Sequence, residues 1–220
     1  MRVEIIGKTK GLTKVAATAA AICYDATNAE KSLKAALSSG HESVAEHQSY
    51  TFSIVRVSRV LLAQLTRHRL ASFSVMSQRY CGIDVDLTDV IIPPSVRKAG
   101  MEDKFRYQVE QAYECYQDMV EAGVPEEDAR YIIPQGIETS LIVTMNAREL
   151  RHFFALRMCN RAQWEIRNLA DEMYRLCVKD APELFADAGP GCCTKDGCPE
   201  GKRCCGHDRR EELKEMRWSD

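Results

Sequence analysis

Hydrophobic and polar positions alternate in short runs before the chain turns mostly helical. Val3, Ile5 and Ile6 ahead of Gly7 predict a first strand. The alanine-rich stretch TKVAATAAAICY, residues 13–24, predicts a helix, and a second is expected from Ala29 to Ser39 with Gly40 as its stop. In HESVAEH, residues 41–47, Ser43 with Glu46 three positions later has capping-box spacing and predicts a helix start. Residues 48–57 predict a strand with Tyr50, Phe52 and Ile54 on one face, although Val55 and Val57 break the alternation. Ser58 is placed to cap a helix through VLLAQLTRHR, where Val60, Leu61 and Leu65 recur at helical spacing. That helix would deliver Arg67 to Arg69 at its C-terminal end, where the macrodipole favours cations, with Gln64 one turn before His68 on the same side.

Further along, DVDLTDVIIPPSV predicts a loop leading into a short strand ended by Pro93-Pro94. A long amphipathic helix is expected from about Ser95 to Ala122, closed by Gly123, with Tyr107, Tyr113 and Tyr116 as packing residues. In VPEEDARYIIP, Pro125 and the acids open a short helix with Arg130 one turn in. GIETSLIVTMNA predicts a strand, after which Asn146 caps a helix with Glu149 at its third position. The segment from Ala162 to Gly189 continues as one more helix, with Trp164, Ile166, Leu169, Met173 and Leu176 at core spacing. Neither an internal repeat nor a linker interrupts residues 1–188, so these are expected to form one domain, with residues 189–220 as a Cys-rich tail.

Composition narrows the class. A chain of 220 residues and 24.8 kDa can bury a substantial core, and a formal net charge of −2 gives no global basic field for nucleic acid. The apolar runs are too short for a membrane span and the start has no signal-peptide pattern, so a cytoplasmic protein is expected. Cys23, Cys81, Cys115, Cys159 and Cys177 are scattered among apolar residues, as buried free thiols are. Cys192, Cys193, Cys198, Cys204, Cys205 and His207 instead crowd together beside Pro190 and Pro199. Their spacing is looser than that of common zinc knuckles, so a structural zinc site, a disulfide or redox site and an unstructured thiol tail all stay open.

The candidate chemistry sits in RHRLASFSVMSQRY, residues 67–80. Arg67, His68, Arg69 and Arg79 with Ser72, Ser74 and Ser77 make poor core material, because buried cations need anionic partners. The segment is either a solvated loop or a holder of phosphate, for which arginine forks and hydroxyls are suited. Arg-His-Arg, seven residues, then Ser77, Gln78, Arg79 and Tyr80 resembles the signature of the flavin-dependent thymidylate synthases, and the likeness extends over roughly residues 1–190.

That resemblance implies an α+β fold with long helices packed on a mixed or antiparallel sheet. It implies flavin adenine dinucleotide (FAD) held by His41, Ser43, Glu46, Arg67, His68, Arg69, Asn146 and His152, with His47 a weaker candidate. It further implies dUMP held by Gln64, Ser77, Gln78, Arg79, Arg130, Leu156 and Arg157. Arg157 would polarise the uracil ring and Ser77 would position the substrate; no general base accompanies Ser77 in sequence. Asn146, Arg148, His152, Leu156 and Arg157 match the family's Asn-Ala-Arg and Leu-Arg pattern, but His152 stands where many relatives carry asparagine and Val75 where many carry Glu or Gln. The implied reaction moves a methylene carbon from methylenetetrahydrofolate to dUMP, with hydride from a flavin that NADPH reduces, in a homotetramer with active sites between subunits. No Gly-rich phosphate loop is present, so side chains would do its work. The competing reading is a non-catalytic nucleotide or nucleic-acid binding protein with a zinc-bearing tail.

Overall fold

The computed structural model describes residues 1–81, 90–194 and 197–218. Strand β1 (Arg2–Lys8) leads into helices α1 (Leu12–Cys23) and α2 (Ala29–Ser38). Ala16, Ala17, Ala20 and Ala36 are buried, and their small side chains let these two helices lie against each other. The Asn28 side chain caps α2 by accepting the Lys31 amide at 3.0 Å. Gly40, with φ 77°, ends it: the Gly40 and His41 amides fold back onto the Leu37 and Ala36 carbonyls.

The expected helix start at residues 41–47 is a 3-10 turn, Glu42–His47, and no side chain caps it. The capping box fails to form because its acid is taken elsewhere: Glu46 pairs with Arg148. Strand β2 (Ser49–Ser58) buries Tyr50, Phe52, Ile54 and then Val57. The broken alternation has a backbone cause, since Arg56 sits in the left-handed region at φ 65° and resets which face the next side chain takes. Ser58 caps as expected, its Oγ accepting the Leu61 amide at 3.0 Å.

Helix α3 (Arg59–Leu65) is shorter than predicted. It stops before Arg67, so Arg67 to Arg69 lie in the turn ahead of strand β3 (Ala71–Val75), and Gln64 and His68 do not share a helical face. The reason is tertiary: His68 turns inward to a buried carboxylate, described below. Of the loop and strand expected at residues 84–92, residues 82–89 lie outside the described residues, and Val90 makes a single bridge to Ile137. The long helix expected from Ser95 is two, α4 (Pro94–Lys98) and α5 (Glu102–Glu121). Gly100, at φ 66°, closes α4, with the Gly100 and Met101 amides bonded to the Arg97 and Val96 carbonyls.

Helix α6 (Glu126–Ala129) precedes a 3-10 turn at Arg130–Ile132 and strand β4 (Glu138–Asn146). Helix α7 (Ala147–Arg157) follows directly, capped by Asn146. The last predicted helix divides into α8 (Trp164–Asp180) and α9 (Pro182–Phe185), because Pro182 cannot continue α8 but suits a first helical turn. The tail adds α10 (Gly191–Thr194), a 3-10 turn at Gly201–Arg203 and α11 (Arg210–Trp218).

The four strands form an antiparallel sheet in the order β1-β2-β4-β3, and with the helices this is the α+β architecture expected. Two compact units are distinguished. The larger comprises residues 3–53, 66–73 and 142–220. Its core is aromatic: Phe154 meets Tyr174 edge-on at 5.5 Å and Phe185 at 6.0 Å, and Tyr50 meets Phe185 at 5.7 Å. The smaller comprises residues 1–2, 54–65 and 74–141, with Val109, Tyr113 and Ile137 buried against Val90, Phe105 and Ile133. Tyr107 departs from its expected packing role, since it points away from the Val109–Tyr113–Tyr116 stripe of α5 and is exposed. Of the five scattered cysteines only Cys177 is buried; Cys23, Cys81 and Cys115 are exposed and Cys159 is half-buried. No described helix is long and apolar enough to cross a membrane.

The tail packs onto α8. Buried Arg209 forms two 3.0 Å bonds to Asp171, donates to the Met158 carbonyl at 2.6 Å and to Glu212 at 2.6 Å, while Leu213 is buried beside it. Replacing Arg209 by Met leaves the Asp171 carboxylate partly buried without its partner, at a cost of roughly 3 kcal/mol. The expected result is a thermal midpoint lower by about 10 °C and selective proteolysis of the tail, read by calorimetry and limited digestion. An unchanged midpoint would show that the tail is docked without this arginine.

Candidate functional site

The larger unit holds a chain of three side chains, Glu149 and His68 buried and Arg157 half-buried. Asn146 Oδ1 accepts the Glu149 amide at 2.8 Å, which fixes the first turn of α7. The Glu149 carboxylate does not return to the cap; it meets His68 Nδ1 at 2.8 Å. On the far side of the ring Arg157 Nε donates to His68 Nε2 at 3.1 Å. Because Nε2 accepts, the ring proton is on Nδ1 and points to Glu149: the imidazole is neutral. His68 and Glu149 are 4 % and 5 % exposed, and burial pushes the His68 pKa below its ordinary value; Glu149 opposes that shift and Arg157 adds to it. Phe153 closes the ring edge-on at 5.0 Å and His152 at 5.9 Å.

Around this chain the unit collects groups suited to an anionic ligand. Burial and the nearby Arg67 both hold the Arg157 pKa below the usual guanidinium value, so two like charges stand together at some cost. An anion removes that cost. Arg67, Arg69, His152 and Leu156 are exposed, while His68 is buried and orients Arg157. The 41–47 turn is pinned to α7 by two ion pairs, Glu46 with Arg148 and Glu42 with Arg151, the latter at 2.8 Å. Arg151 is itself buried and also bonds the Leu184 carbonyl at 2.7 Å and Asp187. His41, Ser43, Glu46 and His47 are thereby held exposed, with His41 Nδ1 against the Tyr24 hydroxyl.

The smaller unit carries the other expected substrate residues. Ser77 Oγ accepts the Arg79 amide at 3.1 Å, and Arg79 pairs with Glu127 at 2.8 Å while lying 5.4 Å from the Tyr80 ring centre. Arg130 donates to the Glu127 carbonyl at 3.0 Å, so Glu127 gathers both arginines. Gln64 donates to the Val60 carbonyl at 3.3 Å, and Gln78 is half-buried. Arg59 has no marker in the sequence pattern. One terminal nitrogen of its guanidinium is shut off from water with no hydrogen-bond partner among the described residues, and burial together with Arg130 lowers its pKa. A buried N–H beside a second cation calls for an anionic acceptor. Glu149 and Arg151 are further site builders that pattern reading passes over. The helix-cap spacing hides Glu149, and Arg151 has the sequence setting of an ordinary surface arginine.

Comparison with known proteins identifies the family to which the sequence is similar. The sequence profile described as "Thymidylate synthase complementing protein" matches residues 4–183. A protein of Geobacter sulfurreducens called flavin-dependent thymidylate synthase is 43% identical over 219 residues, covering 94% of this chain and 94% of its own length. Proteins of the same name from Saccharolobus solfataricus and Clostridium tetani are 48% and 39% identical, covering 73% and 98% of this chain and 61% and 96% of their own lengths.

The neutral buried His68 makes stability depend on pH with a definite sign. Its pKa is depressed in the folded state, so the unfolded chain binds the proton more readily once the pH falls below about 6.5. The contribution is therefore complete above that value and is lost as the pH falls toward the folded pKa. Urea titrations from pH 8 downward are expected to show a loss below about pH 6.5 that is shallower in His68→Gln. Equal slopes in both proteins would place the acid sensitivity elsewhere.

Proposed function

We infer the working of this chain from one premise: it belongs to the flavin-dependent thymidylate synthases. It is an enzyme of thymidylate synthesis, with a flavin cofactor and with dUMP and a folate as substrates. The reading as a binding protein without catalysis is set aside by that membership.

In the proposed reaction FAD is the flavin, methylenetetrahydrofolate gives the carbon and NADPH the electrons, in the cytoplasm where these metabolites are found. When bound, the flavin supplies hydride chemistry that no side chain of the protein can supply. The side chains bind, orient and polarise. In the larger unit His41, Ser43, Glu46, Arg67, Arg69, Asn146 and His152 are the groups to hold the cofactor, with His68 behind them. Arg157 favours negative charge developing on the uracil oxygens as carbon is added at C5, and Leu156 packs on the nucleotide. The observation that carries this reading is the Glu149–His68–Arg157 chain, in which a neutral imidazole accepts from the guanidinium and sets its direction. In the smaller unit Arg79, Arg130, Ser77, Gln78 and Gln64 hold the nucleotide, and Arg59 supplies a further donor to its phosphate. A homotetramer is supported by large side chains left bare in these segments: Tyr80 and Tyr131 are 80% and 86% exposed.

Anaerobic absorbance spectra test the reading. The purified protein is expected to show a flavin band that NADPH bleaches faster when dUMP is present; a colourless protein that takes up no added FAD would overturn it. In the same preparation Arg59→Met is expected to weaken dUMP binding roughly tenfold or more, as loss of a charged hydrogen bond does, with the flavin retained. Unaltered dUMP affinity would remove Arg59 from the phosphate site.

A further inference from the structure

The Cys-rich tail is a built element of the larger unit. Its start is fixed where Pro199 lies against Gly191 so closely that a Cβ at Gly191 would sit 2.7 Å from the proline ring. That contact brings Cys192 near Cys198. Two successive turns, Gly201 amide to Cys198 carbonyl at 3.2 Å and Cys204 amide to Gly201 carbonyl at 3.0 Å, carry the chain back until the Cys198 and Cys204 thiols meet. Cys192 and Cys193 place their sulfurs 3.8 Å apart. The end of the loop is fixed by buried Arg209.

Three of these sulfurs accept backbone amides. Cys204 accepts from Gly206 at 3.4 Å, Cys198 from Glu200 and Cys193 from Arg209. In Cys198-Pro199-Glu200 and Cys204-Cys205-Gly206 the donor lies two residues after the sulfur, so each forms a small amide-to-sulfur turn. Each amide favours the thiolate, the form that binds metal, as donors around thiolate ligands do, while burial and the neighbouring thiols pull the Cys193 and Cys198 pKa upward. The neighbouring residues are otherwise engaged. His207 Nε2 is paired with Glu212 at 2.6 Å, and Cys205 faces the His207 carbonyl at 3.8 Å.

We propose that Cys193, Cys198 and Cys204, with Cys192 as the fourth ligand, bind a thiophilic divalent cation of the zinc class that clasps the tail loop, apart from the synthase chemistry. The wider set suggested by the sequence is thereby reduced to four thiols. Among the described residues no three such groups already surround a common point. The sulfurs stand as two facing pairs, and the cation draws the pairs together as it binds. Each thiol gives its proton to solvent as its sulfur–metal bond forms, leaving a site of net charge about −2. Arg161, near Cys204, offsets part of that charge, and Arg210, bonded to the Cys192 carbonyl at 3.1 Å, pairs with Asp208, whose carboxylate lies 3.7 Å from the Cys193 sulfur.

Metal analysis of the full-length protein, purified under reducing conditions and dialysed against added zinc, tests the site. About one zinc per chain is expected, together with thiolate charge-transfer and tetrahedral ligand-field bands after exchange for cobalt(II). Cys198→Ser and Cys204→Ser should each lose at least tenfold of the bound metal, Cys115→Ser should lose none, and all three should retain flavin, which shows that they are folded. Metal retained in both tail variants would overturn the proposal. So would a zinc-free wild-type protein whose tail thiols all react at once with a disulfide reagent, or one whose intact mass shows paired, oxidised cysteines in place of metal.

Discussion

A carboxylate buried one turn into a helix must find a partner, and Glu149 finds His68. That pairing decides more of the larger unit than any other contact. It draws His68 out of the helix that its flanking residues would extend, so α3 stops at Leu65 and the chain turns into β3. It fixes the ring tautomer, because the proton facing Glu149 leaves the opposite nitrogen as an acceptor, and only a donor such as Arg157 can then approach. The same pairing explains why arginine suits position 157 better than lysine. A planar guanidinium can give Nε to the histidine and still present a fork, whereas an ammonium has a single point of charge.

The four arginines with shifted pKa values fall into two groups by what surrounds them. Arg151 and Arg209 are buried and answered: Arg151 meets Glu42, Asp187 and the Leu184 carbonyl, and Arg209 meets Asp171, Glu212 and the Met158 carbonyl. Their acids hold the guanidinium pKa above the ordinary value in spite of burial. Arg59 and Arg157 are shifted the other way, each by burial and by a second arginine. Arg151 and Arg209 thus stand beside carboxylates, whereas Arg59 and Arg157 each stand beside another arginine; Arg79, paired with Glu127, belongs with neither group. The distinction rests on energetics, since clustered cations are tolerated where an anion arrives to compensate them.

Much of the fold was legible because it depends on local rules. Tyr50, Phe52 and Ile54 alternate and are buried, Asn146 and Ser58 cap the helices assigned to them, and Gly40 and Gly123 close theirs. What was not legible depends on partners remote in sequence. Glu46 has capping spacing but is claimed by Arg148, 102 positions away, and Glu149 is claimed by His68, 81 positions away. Gly100 was passed over because a helical pattern continues on either side of it, and only the left-handed backbone divides α4 from α5. The candidate site divides in the same manner. The residue types of the 67–80 segment mark it as a candidate anion holder, whereas Arg59, a lone arginine at the head of an apolar helix, carries its signal only in three dimensions.

Helix α7 shows why the site admits little variation. At about 100° per residue its circumference is shared among three tasks. Leu150, Phe153 and Phe154 enter the core, Arg148 and Arg151 reach the 41–47 turn, and Glu149, His152 and Arg157 gather at His68. A single insertion or deletion within the helix would turn every following side chain by about 100°. Arg157 would leave His68 and Phe154 would leave Tyr174 in the same step, so this element can lose neither its core nor its chemistry separately. Position 152 is different: its side chain is exposed and meets His68 edge-on, so histidine can stand there without disturbing the Glu149–His68–Arg157 chain. The expected departure at this position thus falls where the packing leaves room for one.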